Sequence, residues 1–196
     1  MFANKIFPPT SFVSEAKHFV MKRTALLSLI ILAFFSCKKE TEPPLTRIKV
    51  GNLKFAVDPS IQPPLTYYIP INDVNLNAFA QLDGANIDTA DIKNILPGRC
   101  TLTALFGGGN LDFIDAVSVR LCPQTDNGEN CGQEAFYRDP TPFNVGQELE
   151  LVPSAVNDIS DVVLQKTINV QVKLERLRDV PNGSFEVVLE MEFDVR

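Results

Sequence analysis

The last third of the chain alternates between apolar and polar side chains with a period of two. The apolar members of the two alternating runs are Ile168, Val170, Val172 and Leu174, then Phe185, Val187, Leu189, Met191, Phe193 and Val195. A period of two places successive side chains on opposite faces of a β-strand, so each run predicts a strand with one buried face. The connection over residues 179–183 contains Pro, Asn and Gly. It favours a β-hairpin that joins the two strands.

Shorter runs of the same kind recur through the rest of the chain. They predict strands over residues 47–57, 66–71, 99–106, 113–122, 135–137 and 143–152. Residues 74–82 also alternate and predict a strand. Residues 88–96 favour a short helix, because Asp88 or Thr89 can cap it and Pro97-Gly98 ends it.

Many short strands, frequent Pro and Gly turns and little helix are typical of an all-β protein. We expect an antiparallel β-sandwich of roughly seven to nine strands, either immunoglobulin-like or jelly-roll-like. At most one or two short helical turns should accompany it. The sandwich is expected to form a single domain over residues 46–196.

The N-terminal part of the chain carries a targeting pattern rather than a fold pattern. Met21 is followed by two basic residues, an apolar run over residues 24–35, Ser36 and Cys37. The run is about a dozen residues long, whereas a membrane-spanning helix needs roughly 20. It therefore suits the core of a signal peptide. Residues 1–20 show no clear pattern and are expected to come from an upstream start site.

Residues 21–39 resemble the start of a bacterial lipoprotein, and Phe-Phe-Ser-Cys-Lys-Lys over residues 34–39 is similar to outer-membrane lipoproteins of the Bacteroidota. The resemblance implies a type II signal peptide over residues 21–36 and lipidation of Cys37 with acyl chains such as palmitate. Residues 37–45 would then be a lipidated tether. The implied location is the outer membrane, on its periplasmic or its cell-surface face.

Charge and composition narrow the range of functions. Residues 1–36 hold four of the basic and one of the acidic side chains, so their removal moves the net charge from −6 to −9. An acidic surface argues against a nucleic-acid partner. The one histidine, His18, lies before Cys37. The mature chain would therefore lack Ser-His-Asp and Cys-His catalysis and His-ligated metal sites. We expect no cofactor and no enzymatic activity.

Three further cysteines lie downstream of Cys37. Cys122 and Cys131 flank a short polar loop and are the favoured disulfide, with Cys100–Cys122 as the rival. Cys100 alternates with apolar neighbours and should face the core. Within the loop, Asp126, Asn127 and Glu129 offer the oxygen ligands that Ca²⁺ prefers, although such residues are more often found in solvated turns.

The function predicted from these features is a non-enzymatic, membrane-anchored lipoprotein that serves binding, adhesion or envelope organisation. Its partners would be the membrane, through the lipid, and an envelope protein or glycan. One alternative is a carboxylate-based hydrolase of envelope or dietary polysaccharide, for which the carboxylates are Glu186, Glu190, Glu192 and Asp194. The other alternative is a calcium-stabilised surface module.

Overall fold

The computed structural model describes residues 43–105, 109–126, 128–156 and 158–196. The strands are β1 (Thr46–Val57), β2 (Tyr67–Val74), β3 (Ile95–Leu105), β4 (Ile114–Cys122), β5 (Gln133–Arg138), β6 (Glu148–Pro153), β7 (Ile168–Leu177) and β8 (Phe185–Val195). The helical elements are α1 (Ala78–Gly84), a 3₁₀ turn (Thr89–Asp91) and α2 (Ser160–Val163). The signal peptide predicted over residues 21–36 and its Cys37 lie outside the described residues.

All eight strands pair in antiparallel fashion within one nearly closed sheet. Their order is β1-β8-β3-β6-β5-β4-β7-β2. The first strand therefore pairs with the last, the second with the seventh, the third with the sixth, and the fourth with the fifth. The prediction of an all-β antiparallel fold with few helical turns is confirmed, and the strand number falls within the expected range.

The sheet consists of two four-stranded halves joined by a narrow seam. Between β5 and β6 only two residue pairs are in register, Phe136 with Pro153 and Tyr137 with Val152. We call β1-β8-β3-β6 the β8 half and β5-β4-β7-β2 the β7 half. The buried faces of both halves contribute to one hydrophobic core. Phe136 of the β7 half packs on Phe193 of the β8 half, with 5.9 Å between the ring centroids.

The hairpin predicted between the last two strands is wrong. β7 pairs with β2 and β4, whereas β8 pairs with β1 and β3. The intervening residues 178–184 carry the chain from one half to the other. Alternation identifies the buried face of a strand but not its neighbour, and a Pro-Asn-Gly connection suits a crossover as well as a hairpin.

The strand predicted over residues 74–82 is also wrong. Residues Ala78–Gly84 form α1, in which Ala78 and Leu82 are buried. These two side chains are four residues apart, a spacing that fits one face of a helix as well as one face of a strand. Asn77 adopts φ 50° and ends the extended backbone, and Phe79 is 54% exposed because it points away from the core.

The helix predicted over residues 88–96 is reduced to a single 3₁₀ turn. Asp88 caps this turn, with its Oδ1 accepting a hydrogen bond from the Ala90 amide at 2.9 Å. The chain then becomes extended, because Ile95 is fully buried and pairs with Val195 of β8. Burial of Ile95 in the sheet therefore overrides the local helical preference.

No helix among the described residues is long and apolar enough to cross a membrane.

The packing of the two halves on each other predicts a large effect of truncating Phe136. Phe136→Ala should lower the free energy of unfolding by about 3–5 kcal/mol, because it leaves a cavity at the contact with Phe193. Phe79→Ala is the matched control and should change it by less than about 1 kcal/mol. Urea unfolding followed by circular dichroism measures both. Equal effects of the two substitutions would contradict this packing.

Candidate functional site

On the outer face of the β8 half, basic side chains of β1 form ion pairs with acidic side chains of β8. Arg47 Nε lies 3.0 Å from Asp194 Oδ1, and Lys49 Nζ lies 3.4 Å from Glu192 Oε1. Lys54 Nζ lies 3.5 Å from Glu186 Oε2. The carboxylates considered for a hydrolase therefore share one outer strand face, on which basic side chains of β1 neutralise three of them.

The outer face of the β7 half is polar but largely buried. Ser118 is 0% exposed, Gln171 is 5% exposed and Asn169 is 8% exposed. Buried polar groups need hydrogen-bond partners, so each of these side chains should meet a neighbour. Ser118 Oγ donates to Glu175 Oε1 at 2.8 Å, and Asn169 Oδ1 accepts from the amide of Asp73 at 3.1 Å.

Gln171 is reached by the segment between the two bonded cysteines, residues 123–130, which we call the disulfide loop. Cys122 and Cys131 form the disulfide, with 5.4 Å between their Cα atoms, and Cys100 remains a free, buried thiol. The side chain of Gln171 donates from Nε2 to the carbonyl of Gly128 in the loop, at 3.1 Å. This contact fixes the loop against β7.

Further hydrogen bonds hold both ends of the disulfide loop. Arg120 Nε donates to the carbonyl of Cys131 at 2.8 Å, and its Nη2 donates to that of Gly132 at 2.9 Å. On the side of β2, Gln124 Nε2 donates to Asp73 Oδ1 at 2.8 Å. Gly132 adopts φ +51°, and a Cβ there would lie 1.9 Å from the carbonyl oxygen of Leu121. Only glycine therefore allows the chain to pass this close to β4.

A cavity of about 370 Å³ opens between the disulfide loop, β2 and β7. Its lining residues are Pro70, Asn72, Asp73, Gln124, Asp126, Cys131, Asn169, Val170 and Gln171. The polar side chains in this set are four amides and two carboxylates, and the set includes no basic side chain. Such a lining offers many hydrogen-bond donors and acceptors but no positive charge.

One buried polar atom in the lining has no hydrogen-bond partner among the described residues. Gln171 uses Nε2 to bind the loop, but its buried Oε1 accepts no hydrogen bond from any described residue. A buried carbonyl oxygen left in this state costs about 1–3 kcal/mol. Gln171 is therefore held against the loop by its Nε2 alone.

Of the three calcium candidates, Asp126 and Glu129 lie among the described residues. Asp126 accepts hydrogen bonds from the amides of Gly128 at 3.4 Å and Gly132 at 2.9 Å, as expected of a turn residue. Glu129 is exposed and does not line the cavity, and Asn127 lies outside the described residues. Within the described ranges, no three His, Cys, Asp or Glu side chains are close enough to hold a metal ion.

Most of the cavity residues were missed by the sequence reasoning. Asn169 and Gln171 are polar positions of an alternating strand, a pattern that normally indicates side chains facing water. Asn72 and Asp73 lie at the register shift within β2, and Gln124 lies in a turn, where such residues are common. The one available signal was the pair of cysteines around the loop, since a closed loop must lie against some part of the fold.

Cys100 and Asp115 are among the groups with shifted pKa values, and both have structural roles. Burial raises the pKa of the Cys100 thiol, which keeps it protonated and inert within the core. A hydrogen bond from Arg176 lowers the pKa of Asp115, which also accepts from Arg178. This cluster ties the start of β4 to the end of β7, at the opposite end of the sheet from the cavity.

Searches with protein-family models, curated proteins and solved structures found no match to this chain. The cavity must therefore be interpreted from the chemistry of its own residues.

The disulfide predicts a measurable contribution to stability. Replacing both bonded cysteines, as Cys122→Ala with Cys131→Ala, should lower the free energy of unfolding by about 2–3 kcal/mol, because the unfolded chain loses a constraint on a short loop. Urea unfolding measures the difference. A reducing agent should destabilise the wild-type protein but leave the double variant unchanged. A change below about 0.5 kcal/mol in the variant would contradict this role.

Proposed function

We propose that this protein is an outer-membrane lipoprotein whose β domain binds a component of the cell envelope without catalysing a reaction. The observation that carries the proposal is the cavity beside Gln171, which polar side chains line next to a loop that the disulfide closes. A concave site with a small number of polar side chains is typical of a binding module.

The anchor is supported by the sequence before the domain. Residues 21–39 resemble a lipoprotein start, and two acyl chains on Cys37 would hold a protein stably on a membrane, as a single chain does not. The tether over residues 37–45 can extend about 30 Å at most. β1 begins at the same end of the sheet at which β2 ends beside the cavity. A tether of this length would keep the domain within reach of other envelope components.

We also propose that the two halves of the sheet face each other as a sandwich with jelly-roll connections. The nested strand order, the seam of two residue pairs and the contact between Phe136 and Phe193 support this arrangement. Jelly-roll sandwiches leave both outer faces open to solvent or to a ligand. The function itself is inferred from the cavity, because a fold does not determine a function.

A non-enzymatic role fits the behaviour of the carboxylates. Those with clearly shifted pKa values are Asp58, Asp115 and Asp158, and in each the pKa is lowered. Backbone and side-chain hydrogen bonds from Ser60 lower the pKa of Asp58. Burial by itself would raise the pKa of Asp158. Hydrogen bonds from Ser160 and from backbone amides outweigh this effect and lower the pKa. A general acid in glycoside hydrolysis needs a raised pKa instead.

The binding role predicts selective capture from envelope extract. The full chain, purified in detergent from the envelope and immobilised by a C-terminal tag, should retain a component that elutes in stoichiometric amount. Asn72→Ala and Gln171→Met should lose it, because both change the cavity lining. Gln147→Met alters an exposed glutamine between β5 and β6 and should retain it. Identical eluates from all four proteins, or empty ones, would contradict the proposal.

The same preparation supplies a check on the anchor. The mass of the N-terminal peptide should correspond to a chain that begins at acylated Cys37. A mass that includes Met1 or Met21 without acyl groups would refute the lipoprotein assignment while leaving the capture result intact.

A further inference from the structure

We propose that the end of the domain at which β1 begins rests on a lipid bilayer, with Leu45 and Phe79 inserted among the lipids. This inference rests on the proposed lipid anchor and deepens it, because it states which surface of the anchored domain meets the membrane. Three observations carry it: two exposed apolar side chains held on a fixed backbone, the short stretch of chain before them, and the charges around them.

Leu45 and Phe79 are large apolar side chains that the fold leaves in solvent, 57% and 54% exposed. Two adjoining cavities connect them. Pro43 and Leu45 line a cavity of about 370 Å³, Phe79 lines one of about 440 Å³, and Asn86 and Ile87 line both. We call Pro43, Leu45, Phe79 and Ile87 the apolar rim. Exposed apolar groups that lie together in this way are typical of a surface that meets a partner or a membrane.

The backbone holds the apolar rim in a defined shape. The amide of Leu45 donates to the carbonyl of Val195, at the end of β8, at 2.8 Å. Phe79 lies on α1, and Gln81 of the same helix bonds to both backbone groups of Lys49 in β1. Its Oε1 accepts from the Lys49 amide at 2.8 Å, and its Nε2 donates to the Lys49 carbonyl at 3.0 Å. Because both elements are fixed, little conformational entropy is lost when the rim meets a partner.

The length of chain before the apolar rim identifies that partner. Pro43 is six residues from Cys37, and this stretch can extend about 20 Å at most. Acyl chains on Cys37 would therefore hold the start of the rim within this distance of the lipid, whichever way the domain turns. Tethering raises the effective concentration of the bilayer at the rim, so insertion of two apolar side chains is sufficient for docking.

The charged side chains around the apolar rim restrict the type of lipid. The carboxylates that line the two cavities are those of Asp83, Asp88 and Asp91, and the basic groups are those of Lys93 and Arg196. This mixture gives anionic headgroups little net attraction, unlike the polybasic segments that bind anionic membranes. Docking should therefore depend on apolar insertion into lipids with zwitterionic headgroups.

Tryptophan fluorescence tests the inference on the full acylated chain, because the wild-type chain contains no tryptophan. Phe79→Trp and Leu45→Trp each place one reporter in the apolar rim. Both proteins are reconstituted in phosphatidylcholine vesicles, with and without lipid that is brominated on its acyl chains. In each, emission should shift to shorter wavelength than in detergent-free solution of the unfolded chain, and brominated lipid should quench it at least about twofold, as expected of side chains at the headgroup boundary.

Phe143→Trp is the matched control. Phe143 is 81% exposed and lies in the connection between β5 and β6, at the opposite end of the sheet from the start of β1. The 12 residues of β1 alone extend about 40 Å. In a docked domain this reporter would remain in water, so brominated lipid should leave its emission unchanged.

Second substitutions in the Leu45→Trp protein test whether the two side chains act together. Adding Phe79→Ser should lower the quenching at least about twofold, whereas adding Phe79→Leu should retain it, because leucine also inserts into lipid. Circular dichroism of each protein verifies that the fold is kept. Phosphatidylglycerol added to the vesicles should not increase the quenching, because the surroundings of the rim carry mixed charge.

The possible failures are distinguishable when the mass of the N-terminal peptide is measured on the same preparation. An acylated chain without quenching at Leu45→Trp and Phe79→Trp would overturn the docking and leave the anchor intact. Quenching of a chain that lacks acyl groups would refute the anchor but support the docking. Neither acylation nor quenching would overturn both. Equal quenching at Phe143→Trp would indicate adsorption without a preferred surface and would overturn the inference. A shift in emission that requires envelope protein and does not occur with vesicles would assign the rim to a protein partner instead.

Discussion

Burial of one face of every strand in a shared core is the constraint on which the rest of this structure depends. The chain meets it by nesting early strands against late ones, so that β1 lies beside β8 and β2 beside β7. Apolar side chains from both halves then fill one core, in which Phe136 of β5 meets Phe193 of β8. The outward-facing positions do not take part in that core, so their side chains can be polar.

The two outer faces differ in their side chains and in their exposure to solvent. On the β8 half, basic side chains of β1 pair with acidic side chains of β8 in solvent, where each pair contributes little to stability. On the β7 half, a loop closed by Cys122 and Cys131 is fastened against the sheet and encloses polar groups. Each hydrogen bond beneath the loop matters more for stability than one in solvent, because a polar group that is buried without a partner is unfavourable. That difference is the reason why we place the proposed site on the β7 half.

Period-two alternation was sufficient to predict the fold class, the approximate strand number and the inward orientation of Cys100. It could not give the strand partners, because Ile168 to Leu174 would alternate in the same way beside β8 or beside β2. It also failed at Ala78 and Leu82, where a spacing of four residues fits both a helix and a strand. These errors share one cause: the sequence pattern records burial, whereas pairing and helix formation depend on contacts distant in the chain.

The cavity was less predictable for a similar reason. Asn169 and Gln171 occupy outward positions that normally meet water, and only the fold places the disulfide loop over them. The short spacing of Cys122 and Cys131 did favour the pair that the structure joins. The calcium candidates were chosen from the loop alone, whereas the cavity also draws on β2 and β7.

The claim that the disulfide loop encloses Gln171 is tested most directly by hydrogen exchange of side-chain amides, observed in ¹⁵N NMR spectra of the oxidised protein. The Gln171 side-chain NH₂, assigned by its absence in Gln171→Met, should exchange at least about tenfold more slowly than that of exposed Gln147. Its protection should fall when Cys122 and Cys131 are both replaced by alanine. Equal exchange at Gln171 and Gln147 in the oxidised protein would contradict the account.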